Sequence, residues 1–205
     1  MQDLVLYQYL SMKFLPRILM VVGVLFLLSL FVFPMWKITL SAPQYPDGIA
    51  MYIWISKITG DTDYTLQNIN ILNHYIGMKY IEPDSIPELK IFPYVTGFMA
   101  LVGLVFVFIG KKYLYLVWGV VMLLMGAVGI YDFYLWEYDY GHNLDPLAPI
   151  KIPGMAYQPP VFGSKMLLNF NATSYPDIGG ILMGLGIFLS FAAFYLAKKN
   201  EEKQI

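Results

Sequence analysis

FPYVTGFMALVGLVFVFIG at 92–110, the pair Lys111-Lys112, and YLYLVWGVVMLLMGAVGIYDFYLW at 113–136 decide the fold of this chain. Each apolar run is about the 18–20 residues or more that a helix needs to cross a hydrocarbon core. The first holds no charged side chain, and the second holds one, Asp132, near its Tyr/Trp-rich end. A basic turn this short predicts that the two helices are antiparallel neighbours. Working outward, about 15–36 and 178–197 are runs of the same kind, so four spans are expected. The fold class read from this pattern is membrane all-α. One unit over 1–205 holds a four-transmembrane-helix bundle, capped by two long loops, 37–91 and 137–177.

Composition agrees. Of the 205 residues, 58% are hydrophobic and 13% charged, with a mean hydropathy of +0.58, which is too apolar for an ordinary soluble domain. The first span resembles a signal peptide in its basic flank, but its apolar run is long. The nearest cleavage-like site, Leu40-Ser41-Ala42, runs into Pro43, so a retained anchor is expected. Lys13, Arg17, Lys111, Lys112, Lys198, Lys199 and Lys203, 7 of the 13 basic residues, fall in short segments on one side. The positive-inside rule then predicts a bacterial cytoplasmic membrane protein with both termini cytoplasmic and both loops extracytoplasmic. A net charge of −1 argues against nucleic acid as a partner, leaving the lipid bilayer and other proteins. The absence of cysteine excludes thiolate metal sites and thiol catalysis.

The loops carry local signals. Lys37–Ser41 and the alternating run from Ile49 flank the turn-rich Pro43–Gly48 and predict a small β-hairpin. Leu66, Ile69, Leu72 and Ile76 stand at helical spacing, with Gly77 as the carboxy-terminal cap, and predict a short helix ending at the His74 motif. The second loop is proline-rich yet carries too many apolar residues for disorder, and is expected to be an ordered, extended segment packed on the first. Gly180 and Gly184 form a small-xxx-small pair suited to close helix packing.

Chemistry must come from the loops. Imidazole and thioether suit Cu(I), and His74, Met78, His142 and Met155, with Met51 a further donor, form a candidate copper site. The competing reading makes both histidines structural, bonded to loop carbonyls. Asp132, Glu137, Asp139 and Asp145 offer acid/base or hard-cation chemistry, against the plainer expectation of a solvated interfacial rim. Asp132, just inside the boundary, needs a partner, for which Lys165 or a loop amide is a candidate. Asn73 is expected on the polar side of the short helix. No Ser/His/Asp arrangement, phosphate-binding glycine loop or HExxH motif is present, which inclines the reading away from an enzyme.

The runs Pro43-Gln44-Tyr45-Pro46, Asn70 to Met78, and Pro153 to Lys165 with Leu168-Asn169-Phe170 resemble a family of small four-span bacterial membrane proteins. That family is associated with gene clusters for the copper enzyme nitrous-oxide reductase, and the resemblance covers both loops and the span order. It implies a non-enzymatic accessory protein that receives or presents copper, or docks a partner from copper-enzyme maturation or electron supply. The alternatives are a metal-free assembly adaptor with Tyr45, Tyr157, Gln158, Pro159 and Pro160 as its contact surface, or a membrane enzyme acting on lipid or quinol through Asp132, Glu137 and His142.

Overall fold

The structure, a computed structural model, describes residues 2–202, with side chains from Phe14 onward. The side chain of Lys13 and the whole of Lys203, both used in the orientation argument, lie outside the described residues. In chain order the elements are α1 (Gln2–Leu28), β1 (Trp36–Ala42), β2 (Tyr45–Ile53), β3 (Ile58–Gly60), α2 (Thr65–Ile76), α3 (Glu88–Ile109), α4 (Lys112–His142), β4 (Gly163–Leu167), β5 (Phe170–Pro176) and α5 (Ile178–Glu202). Helices α1, α3, α4 and α5 are each long and apolar enough to cross a membrane. The chain therefore has the build of a multi-pass membrane protein with a cap at one end.

The bundle is organised around α1 and α5, its most extensive helix pair. Two glycines explain the approach. A Cβ on Gly23 would stand 2.9 Å from the Gly186 carbonyl oxygen, and one on Gly186 would stand 2.7 Å from that of Gly23. Only backbones without side chains pack this closely. The Gly180–Gly184 pair does not do this job: Gly180 backs onto the Met35 carbonyl, whereas Gly184 faces open space.

Helices α3 and α4 touch as antiparallel neighbours, but α3 packs mainly on α1 and α4 on α5. They meet near their shared turn, where Trp118 Nε1 donates to the Met99 carbonyl at 2.9 Å and fills the space over Gly103. A short connection constrains only the helix ends it joins. Toward the cap the two helices separate.

The cap holds more β structure than the sequence suggests. The hairpin of β1 and β2 is present, but its turn is only Pro43-Gln44, because β2 begins at Tyr45. The second loop is not merely extended: it forms a second hairpin whose β5 pairs antiparallel with β1, giving one five-stranded sheet in the order β3-β2-β1-β5-β4. Leu167 pairs with Phe170 across Leu168-Asn169, and Leu168 takes φ 57°, a left-handed conformation normally reserved for Gly, Asn or Asp. Trp36 Nε1 donates to Ser174 Oγ at 2.7 Å, fixing β1 against β5. One face of the sheet, with Ile38, Ile49, Met51, Ile58 and Ala172, is buried. It packs over α2 and the last turns of α4, around Ile69 and Tyr140.

Helix α2 ends as expected. Gly77 is left-handed, and the Met78 amide returns to the Asn73 carbonyl at 2.9 Å. Asn73 is not on an exposed polar side: it is buried and donates to the Lys79 carbonyl. Asn70 makes a reciprocal pair with the backbone of Ile81, so the two amides clamp the chain leaving α2.

Candidate functional site

Helix α4 does not stop at Trp136, where the apolar run ends. It continues to His142, and its last turns enter the cap. Trp136, Glu137 and Tyr140 thereby reach a cavity of about 100 Å³ beneath the sheet. Met51 of β2, Asn73 of α2, Met78 and Tyr157 line it as well, among aliphatic side chains. Trp136 and Tyr140 lie with ring centroids 4.4 Å apart.

Glu137 is the unusual group. It is 0% exposed, and among the described residues neither carboxyl oxygen has a hydrogen-bond partner. A buried carboxyl without partner is costly, several-fold more so when charged. Two lysines of the cap are engaged elsewhere: Lys79 Nζ is 2.6 Å from Asp139 Oδ2, and Lys165 Nζ donates to the Gln158 carbonyl. The expectation of a solvated acidic rim therefore fails for Glu137. Asp139 is on such a rim, held by Lys79 and Asn143, and Asp145 accepts from the Leu147 amide at 2.7 Å in a local turn. Lys165, considered a partner for Asp132, is bonded to Gln158 instead.

The histidines are placed differently from the cavity. His74 is exposed and stacks on Tyr80, with centroids 6.2 Å apart. His142 is exposed at the end of α4, stacks on Tyr138 at 4.0 Å, and has Nδ1 3.0 Å from the Tyr138 carbonyl oxygen. Neither lines the cavity, and Met155, 38% exposed in the second loop, does not either. Among the described residues no group of three or more His, Asp or Glu is arranged to hold a metal ion. Of the candidate copper donors, the fold brings Met78 and Met51 to one cavity and leaves His74, His142 and Met155 outside it. The donors there that fit a soft cation are the two thioethers; the orphaned carboxyl beside them is a hard donor that brings charge.

Tyr157, expected on an exposed contact surface, is 1% exposed and its hydroxyl is also without partner. The cause is backbone pairing. Its amide donates to the Gly141 carbonyl at 2.9 Å, drawing the second loop against α4 and turning the ring inward. Tyr45, Gln158, Pro159 and Pro160 are half-buried. Exposed apolar side chains of the cap include Leu147, Phe162 and Met166, 84%, 66% and 64% exposed; Met166 is on the edge strand β4, and Phe162, just before it, meets Tyr175 of β5 edge-on.

A second opening of about 270 Å³ lies where α3 and α4 part, below the sheet and next to the first cavity. Asp132 and Glu88 line it, and Trp136 is a wall common to both. Sequence reasoning missed the buried site because the hydrophobic run ends at Trp136. The spacing of Phe133, Trp136 and Tyr140 continues the helical period and was the available signal. In comparisons with known proteins, neither a family model nor a curated sequence matches the chain.

Proposed function

We propose that this protein is a non-enzymatic membrane accessory protein whose cap cavity receives or presents copper as Cu(I), with Met51 and Met78 as thioether ligands and Glu137 supplying the compensating charge. The supporting observation is the fully buried, unpartnered Glu137 in a cavity lined by both methionines. Thioethers are soft donors that favour Cu(I) over zinc or hard cations, and a carboxylate neutralises a monovalent ion removed from water. In this reading the cap lies on the outer face of a bacterial cytoplasmic membrane and both termini are inside, as the lysine and arginine distribution suggests. The partner is a protein of copper-enzyme maturation or electron supply.

Titration of the purified protein with Cu(I) against a competing chromogenic chelator tests this. Met51→Leu/Met78→Leu and Glu137→Gln are expected to lose at least ten-fold in affinity, while His74→Ala/His142→Ala keeps it. Equal affinity of the wild type and the methionine double variant refutes the copper site. The metal-free adaptor draws its support from exposed Met166 on the open β4 edge, with exposed Phe162 and Tyr175 beside it, a surface suited to a protein partner. A photoreactive residue at position 166 would then crosslink in membranes equally with and without chelator. Dependence of that crosslink on copper would favour the first reading.

A further inference from the structure

We infer that the cleft between the cap-side halves of α3 and α4 is a binding site for an isoprenoid quinone, taken as the quinone or its quinol, with the ring at Asp132 and the tail leaving between the helices. This rests on a different cavity from the copper proposal and stands without it.

The shape comes first. At about 270 Å³ the cleft is just under the roughly 300–1,000 Å³ of small-molecule pockets, room for a substituted ring with its tail outside. It sits between two helices long enough to cross a membrane, so its occupant enters from the hydrocarbon phase. Gly126 and Gly129 form part of its α4 wall, and a Cβ on either would meet no atom within 4 Å. Their missing side chains therefore leave space rather than admit a neighbouring helix, unlike those of Gly23 and Gly186.

The chemistry of the walls selects the occupant. Among the described residues the lining contains Asp132, Glu88 and Thr96 as its side chains with oxygen, and no Lys, Arg or His. A phospholipid would bring a phosphate to two carboxyl groups with no cation to receive it. A neutral head carrying ring oxygens meets no such conflict. It can accept a hydrogen bond from a protonated carboxyl or the Thr96 hydroxyl, and as the quinol it can donate to a carboxylate. The aromatic walls suit a flat ring: Trp36 meets Phe133 edge-on at 5.8 Å, and Phe133 stacks on Trp136 at 6.2 Å. Met35, Met122, Met125 and Met183 supply adaptable, polarizable packing.

Trp36 and Trp136 lie in the lining, so a quinone bound there quenches their fluorescence. The full-length protein in phosphatidylcholine nanodiscs is titrated with decyl-ubiquinone. Saturable quenching is expected, weakened at least ten-fold by Gly129→Leu, which fills the cleft, and also by Asp132→Leu, which removes the polar anchor. Gly97→Leu is the control: its Cβ also meets open space, but Gly97 is not part of the lining, and affinity should stay within two-fold. Should Gly129→Leu fail to fold, Gly126→Leu and Asp132→Leu carry the test. Non-saturable quenching alike in wild type and Gly129→Leu means the quinone only partitions into the bilayer, and overturns the proposal. So does displacement by decanol at the same concentration as by decyl-ubiquinone, which would make the cleft an acyl-chain slot without head recognition.

Discussion

Replacing Glu137 by methionine should make the metal-free protein more stable. The wild-type carboxyl is fully buried, has no hydrogen-bond partner at either oxygen, and faces a cavity walled by aliphatic, aromatic and thioether groups. Leaving a polar group unpaired in such a site costs about 1–3 kcal/mol on the evidence of protein mutational data. Methionine is close in length, brings no polar atom and adapts to irregular space. Glu137→Met is therefore expected to stabilise by roughly 1–3 kcal/mol, the behaviour seen when buried charged groups give way to apolar ones. For a chain of this size that corresponds to a rise of about 2–4 °C in Tm for each kcal/mol. Thermal unfolding in mild detergent with chelator present measures it, with Glu137→Gln expected near wild type because its amide is equally unpaired. If Glu137→Met instead lowers the metal-free Tm by several degrees, the carboxyl is holding the cap together through a partner, and the reasoning from an orphaned group is wrong.

Two further outcomes follow from the packing. Gly23→Leu should separate α1 from α5 and cost more than 3 kcal/mol, since overpacking alone costs about 1–3 kcal/mol and here the obstacle is backbone; Gly184→Leu, facing open space, should be tolerated, and equal detergent melting curves for the two would refute the assigned crossing. Asp61 links β3 to α2: burial raises its pKa, but hydrogen bonds from Thr65 Oγ1 and the Ala50 amide outweigh this and hold it below the usual carboxylate range. With the folded pKa depressed, its stabilising contribution is complete above the unfolded value of about 3.9 and disappears as pH falls below it. Protection factors of the first α2 amides, taken relative to intrinsic exchange at each pH, should fall over that acid window in the wild type, whereas Asp61→Asn should show low protection at all pH values and no such step.

The parts of the fold that were legible in the sequence are those with a strong period. Four apolar runs gave four helices, Leu66, Ile69, Leu72 and Ile76 gave α2, and the alternation from Ile49 gave β2. The second hairpin was hidden because its inward residues include Ala172 and Ser174, which are small or polar, and its turn is Leu168-Asn169 rather than a glycine turn. What lets so small a residue sit at the centre is the partner strand: Ala172 pairs with Leu40 on one side and Lys165 on the other, and is 0% exposed. The site was hidden for a related reason. Histidines draw attention as ligands, yet His74 and His142 point into aromatic surface neighbours, while an ordinary glutamate at the end of a span became the buried group. Tyr157, some 20 residues along the chain, folds back onto Gly141 and lines the same cavity.

The length of α4 connects these observations. At 1.5 Å per residue its 31 residues extend about 46 Å, against a hydrocarbon core of about 30 Å. The surplus is roughly ten residues, and it is rooted in the bundle at one end and in the cap at the other. Trp136 sits at the junction, with the cap cavity on one side and the cleft on the other. A group one position on, Glu137, turns into the cap, while Asp132, five positions before it, turns into the cleft. Because one continuous helix carries both carboxyl groups, a change in occupancy of the cleft that tilts or rotates the end of α4 must move Glu137 within the cap. Two sites on a common rigid element are coupled in this way only if the helix has two arrangements to choose between. The cleft between α3 and α4 is the space into which such a second arrangement would have to move.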